Sequence, residues 1–223
     1  MERIIEHTAD GSSTLYIPRM DEHYHSVKGA ETESRHIFIE MGMKQLPNSQ
    51  PIHIFEVGFG TGLNTWLSFR ETQQGSRRVH YTTIELYPLD WNTVEALGYS
   101  DHPAFKQIHE TPWNEAVEIT PHFVLHKINA NFTQYHFEEE RIFDVVYFDA
   151  FAPEKQPGMW NQQIFDNLYR WMTNNSVLTT YCAKGVVRRM LQQSGFIVER
   201  LPGPPGGKRE ILRARKNVKH NIE

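Results

Sequence analysis

The stretch Ile52-His53-Ile54-Phe55-Glu56-Val57-Gly58-Phe59-Gly60-Thr61-Gly62-Leu63-Asn64 decides the fold. Its first six residues form a short β-rich run. Three glycines follow, and then a helix expected over Leu63–Thr72. Glycines at such a junction permit a tight turn and a close backbone approach to a ligand. In α/β sheets, ligands bind beyond the carboxyl ends of the strands. Outward from this stretch, strand and helix signals alternate. Val79–Glu85 is a second strand and 89–97 a helix, while 102–117 reads as mainly helical, broken near Pro112. Phe123–Asn129 is a third strand. Residues 142–149 (IFDVVYFD) are apolar on both faces, as a central parallel strand should be. A helix over 160–171, a strand over 177–182 and a helix over Gly185–Gln193 come next. Strands at 196–201 and 210–214, joined only by 202–208, form an antiparallel edge. The alternation predicts an α/β, Rossmann-like doubly wound sheet of seven mostly parallel strands.

Residues 1–50 form an extension expected to pack on this domain as a hairpin and a helix. Ser13–Ile17 reads as a strand ended by Pro18, and 32–46 as a helix bearing Ile37, Phe38, Met41 and Met43. The main domain spans 51–216, and 217–223 is a basic tail.

The glycines are spaced G-x-G-x-G behind Glu56, not G-x-G-x-x-G. That spacing favours a nucleoside ending in an amino acid, S-adenosyl-L-methionine, over a dinucleotide pyrophosphate. Glu85 closes the second strand, where a carboxylate can accept both ribose hydroxyls. The candidate cofactor residues are Glu56, Gly58, Phe59, Gly60, Thr61, Gly62, Asn64 and Glu85. Asn131, after the third strand, is either an adenine-edge ligand or a turn asparagine, and both readings stay open. Asp149 ends the fourth strand, where methyltransferases of this fold face the methyl group.

Five further blocks join these features. They are Ser26-x-x-Gly29-Ala30-x-x-Glu33-Ser34 with His36-x-Phe38, DAFAPEKQPGMW (149–160), TYCAKGVVRRML (180–191), Gly195-Phe196 and PGPPGGKREIL (202–212). With the glycine loop, they resemble the methyltransferase domain of the bacterial MnmC family, the tRNA 5-methylaminomethyl-2-thiouridine biosynthesis proteins. The resemblance runs from about residue 23 to 213. It implies a class I S-adenosyl-L-methionine-dependent methyltransferase acting on the aminomethyl group of a wobble uridine in the tRNA anticodon stem-loop. It makes Asp149 the catalytic candidate, accepting a hydrogen bond from the amine and orienting it. Ser26 and Glu33 become candidates to cover the cofactor's methionine end, and Tyr24, Phe151 and Pro153 to meet the flipped base. Lys155, Lys184, Arg188, Lys208 and Arg209 become candidates for phosphate contacts. Bifunctional members add an FAD-dependent oxidoreductase domain. This chain ends soon after the KRE block, so a stand-alone enzyme is expected, with a separately encoded oxidoreductase or the aminomethyl-installing enzyme as partner. The family's usual Gly-Asp after the third strand is Ala130-Asn131 here.

Composition limits the alternatives. The 223 residues are 39% hydrophobic and 22% charged, as in a globular domain. No apolar run suits a membrane span or signal peptide, and Cys182 is the one cysteine, so a cytoplasmic protein is expected. Net charge is −4, but residues 184–223 hold ten Lys and Arg against three Asp and Glu. That basic quarter is either a phosphate-binding face or a solvated helix and tail. No metal is expected. His23 and His25 read as surface or lid residues, because two histidines two apart suit a tetrahedral metal poorly. A small-amine methyltransferase, a non-catalytic partner subunit and a nicotinamide oxidoreductase remain as competing readings.

Overall fold

The computed structural model describes residues 2–48, 50–138 and 142–217. In chain order, β1 (Ile4–His7), β2 (Ser13–Ile17) and β3 (Glu22–His23) form a small antiparallel sheet. Helix α1 (Ala30–Ser34) runs into a π-helical turn, Arg35–Glu40. Then come β4 (Ile52–Val57), α2 (Leu63–Thr72), β5 (Val79–Glu85), α3 (Trp91–Glu95) and α4 (Pro103–Glu110). They are followed by β6 (Ala116–Thr120), β7 (Phe123–Asn129), β8 (Phe143–Phe148), α5 (Gln162–Trp171) and β9 (Met172–Thr180). Helix α6 (Gly185–Gln193), β10 (Ile197–Pro202) and β11 (Glu210–Lys216) end the series.

The main sheet has the order β10-β11-β9-β8-β4-β5-β7-β6. The five strands from β9 to β7 are mutually parallel, and β6, β11 and β10 run antiparallel to their neighbours. Pleating sends alternate residues of β4 to opposite faces. Ile52 and Ile54 pack with Leu67 of α2, Phe105 of α4 and Phe38 of the π-turn. Phe55 and Val57 pack with Phe165 of α5 and Leu191 of α6. Both faces of the central strands are thus covered, which is why they read as apolar runs.

The sheet has eight strands where the sequence reading gave seven. The extra one is β6, inside the segment expected to be helical. Val117 and Ile119 turn inward while Ala116 and Glu118 stay exposed, the alternation of a half-buried edge strand. A two-residue turn, Pro121-His122, returns it along β7. The helix expected over 32–46 is three short pieces, α1, the π-turn and a 3-10 turn at Met43–Gln45. The wide π-turn lets consecutive Ile37, Phe38 and Ile39 all be buried. The N-terminal hairpin gains a third strand, and Tyr99 Oη ties it to the main domain by donating to Ser13 O at 2.8 Å. Of the expected basic tail, residues 218–223 lie outside the described residues.

Candidate active site

The parallel ladder sets the site. Past the end of β4, Gly58 N donates to Ile84 O at 3.0 Å, and past β8, Asp149 N donates to Val57 O at 3.2 Å. These bonds hold the glycine loop and Asp149 side by side. Gly58 has φ 93°, and a Cβ there would stand 3.0 Å from Asp149 O. Gly60 has φ 50°, and a Cβ there would stand 3.2 Å from the Tyr24 ring. Both need the left-handed backbone that glycine adopts without cost, and both have another group against the bare Cα.

A cavity of about 1140 Å³ opens over this junction. Tyr24, Ser26, Glu33, Gly58, Phe59, Gly60, Thr61, Asn64, Glu85, Asn131, Asp149, Phe151, Pro153, Lys184 and Lys208 of the expected site line it. Glu56 and Gly62 do not. Glu56 is buried behind the loop, accepting from Thr65 Oγ1 at 3.0 Å. Gly62 faces the His109 ring as the cap of α2, so its part is to shape the loop rather than to touch a ligand. Lys155, Arg188 and Arg209 lie off the cavity wall. Lys155 faces Asp21 at 3.9 Å, Arg188 is half-buried on α6 and Arg209 is exposed.

At one end, Glu85 is fixed through both oxygens, by Gly60 N at 3.1 Å and Tyr87 N at 2.8 Å. Asn131 Oδ1 accepts from Thr133 N and Oγ1, so its oxygen caps the turn that follows β7. At the centre, Asp149 Oδ2 accepts from Asn64 Nδ2 at 2.8 Å. Burial pushes its carboxyl up to about 7, Glu33 adds to the rise, and Asn64 and Lys208 oppose it. Burial, with the charge of Asp149, raises Glu56 to about 8. Over the glycine loop, Tyr24 meets Phe151 edge-on at 5.2 Å, and at the far end Lys208 Nζ donates to Glu33 Oε1 at 2.6 Å. Lys184 pairs with Glu154.

The segment 22–33 roofs the cavity. His25 Nε2 shares a hydrogen bond with Thr61 Oγ1 at 2.8 Å, and burial lowers its pKa to about 4. His23 instead meets Glu6 at 2.9 Å. Trp160 is a core residue, donating from Nε1 to Phe151 O at 2.7 Å. The sequence reading passed over Tyr181, which lines the cavity and donates to Ala150 O at 2.8 Å. It is the first residue after β9, so the rule that ligands bind beyond strand ends points to it. Arg3, also on the wall, had no signal in the sequence because its place depends on the small sheet.

The cradle suits a nucleoside with an amino-acid end. It offers bare glycine backbone on one side and an anchored carboxylate at the next strand end. Residues 101–217 match the family described as S-adenosyl-L-methionine-dependent methyltransferase. The chain belongs to that family, and its cofactor is S-adenosyl-L-methionine. It is similar to two proteins named tRNA 5-methylaminomethyl-2-thiouridine biosynthesis bifunctional protein MnmC. That of Cupriavidus metallidurans is 30% identical over 99% of this chain and 36% of its own length. That of Pseudomonas putida is 29% identical over 85% of this chain and 31% of its own. The chain thus spans about a third of the length of these curated relatives. Among solved structures, MNMC2 from Aquifex aeolicus superposes with a TM-score of 0.78 at 21% identity, covering 98% of this chain and 70% of that one. Spermidine synthase from Thermotoga maritima gives 0.57 at 12%, covering 98% and 81%. At these identities the structures speak for the shared fold.

Proposed function

We propose that the chain methylates the exocyclic amine of 5-aminomethyl-(2-thio)uridine at the tRNA wobble position, giving 5-methylaminomethyl-(2-thio)uridine. The observation that carries this reading is Asp149, a buried carboxyl raised to about 7 where the glycine cradle meets an acid- and aromatic-lined chamber. The names of the curated relatives support the nucleoside.

Bound S-adenosyl-L-methionine supplies an electrophilic methyl on a sulfonium. In this reading the backbone of 58–61 holds its amino-acid end, with Glu56 and Asn64 behind and Ser26 above, while Glu33, paired with Lys208, lies toward the substrate. Glu85 takes the ribose hydroxyls and the Asn131 amide the adenine edge. Tyr24, Phe151 and Pro153 border the base. An alkyl amine has a pKa near 10, so it arrives as an ammonium with no free lone pair. Asp149 accepts its hydrogen bond, aligns the nitrogen and takes the proton. Passing a proton from pKa ~10 to an ordinary carboxylate near ~4 is uphill by about 8 kcal/mol; to one near 7 it is about 4. Burial of Asp149 thus serves the chemistry.

Lys155, Arg188 and Arg209 outside the chamber, and exposed Lys184 on its wall, are proposed to meet tRNA phosphates. The partners of Lys155 and Lys184 are exposed carboxylates, and such pairs contribute ~1 kcal/mol at most, so phosphate can replace them. A tRNA substrate sets the work in the cytoplasm, downstream of an enzyme that installs or unmasks the aminomethyl group. The carboxylates Glu22, Glu33 and Glu210 on the wall also suit a free polyamine as second reading. The test is incubation with methyl-labelled S-adenosyl-L-methionine and tRNA bearing unmethylated aminomethyl-uridine, followed by nucleoside analysis. Label in the wobble nucleoside, with affinity falling steeply as salt rises, is expected. Label in added polyamine but not in tRNA moves the assignment to the second reading.

A further inference from the structure

The far end of the chamber already holds a primary alkylammonium, the protein's own. Lys208 Nζ donates to Glu33 Oε1 at 2.6 Å and stands 4.6 Å from the centre of the Tyr181 ring, over its face. The seat around it is built in advance. Glu33 is almost wholly buried, and its second oxygen is fixed by Ser26 N at 2.9 Å. The Tyr181 ring is fixed through its hydroxyl on Ala150 O. A carboxylate on one side and an aromatic face on the other is the arrangement that binds alkylammonium ions. The seat opens into the same cavity as the reacting carboxylate, for Glu33, Tyr181, Lys208 and Asp149 all line it. Glu22 and Glu210 line the same cavity.

The two parts of the pair differ in exposure. Glu33 sits on α1 with its side chain 10% exposed, whereas Lys208 comes from the exposed loop between β10 and β11 with its side chain 39% exposed. Lys208 has solvent beside it, whereas Glu33 and Tyr181 are each held by a second bond. A lysine side chain and an aminomethyl group present the same terminus, a CH₂ bearing an ammonium with three donors.

We propose that Glu33 and the Tyr181 face form an alkylammonium subsite, plugged by Lys208 in the resting protein and yielded to the substrate's ammonium when substrate docks. The exchange keeps Glu33 neutralised throughout, so no buried carboxylate is left bare at any stage. Lys208, once displaced, faces the chamber mouth, where phosphates of the substrate would lie. The subsite rests on reading the cavity as an amine site, and its test needs no tRNA.

The probe is n-butylammonium, titrated into protein saturated with S-adenosylhomocysteine and followed by calorimetry. Wild type should bind it weakly. Lys208→Met should bind it roughly tenfold more tightly, because the plug is gone while a seat of this strength remains. The double variant Lys208→Met/Glu33→Gln should lose that gain, and neutral n-butanol should gain nothing in any variant. In wild type, saturating n-butylammonium should also shift the Lys208 ¹⁵Nζ signal. An unchanged affinity in Lys208→Met, a gain that survives Glu33→Gln, an equal gain for n-butanol, or a Lys208 signal that stays put would each overturn the subsite. A subsite that passes beside a tRNA assay without wobble product removes the nucleoside and leaves the seat. Wobble product without any gain does the reverse.

Discussion

The two ends of the cavity are made by different means. The cofactor end is built from neighbours in the sheet: the glycine loop follows β4, Glu85 ends β5, and Asn131 lies just past β7. Adjacent parallel strands place these residues whatever happens further away. At the substrate end, Glu33 from α1, Phe151 after β8, Tyr181 after β9 and Lys208 before β11 meet only once the whole chain has folded. Glu33 and Lys208 are 175 residues apart in sequence. The first kind of site is inherited with the fold, and the second is free to change with each loop.

The sharpest way to break this contrast is Asp149→Ala. Turnover should fall ~100- to 10,000-fold while S-adenosyl-L-methionine still binds, as single-turnover kinetics and calorimetry would report. Loss of cofactor binding instead would mean that the two ends are one unit. Next comes the roof. Buried His25, at about 4, stays neutral when folded, whereas unfolded it takes a proton below ~6.5. The unfolded state then binds more protons, so stability falls as pH drops from ~6.5 toward 4, by about 3 kcal/mol in all. Urea melts at pH 7 and 5 should show the loss in wild type and less of it in His25→Phe.

Gly60→Val attacks the other end. A β-branched residue at φ 50° against Tyr24 should weaken S-adenosyl-L-methionine about tenfold or more while the n-butylammonium subsite persists. The smallest effect is a shift. Asn64 lowers the pKa of Asp149, so Asn64→Ala should move the rising limb of the kcat–pH profile to higher pH. A limb that stays in place would show that Asp149 does not set it.

The same contrast explains what could be read in the sequence. Glu56–Gly62, Glu85 and Asp149 stand at strand ends, and strand ends follow from apolar runs and glycine punctuation. Strand β6 was hidden because five residues with two inward side chains carry too little alternation to outweigh a helical stretch. Tyr181 had the right position but no distinguishing chemistry. The inward turn of Lys208 was unreadable, since a lysine in a Pro/Gly loop looks the same whether it faces phosphate or a buried glutamate. For His25 the sequence left surface and lid both open, because its partner Thr61 lies across a contact that only the folded roof creates.

One feature of the sheet bears on how the chain is made. Strand β11 is synthesised after every strand it joins, yet it lies inside the sheet, between β9 and β10. Until residue 216 has left the ribosome, β9 offers an open edge flanked by the apolar Val177 and Leu178. Unpaired edges of this kind are where strands from other chains add on. Strand β11 is therefore what closes this edge against neighbouring chains.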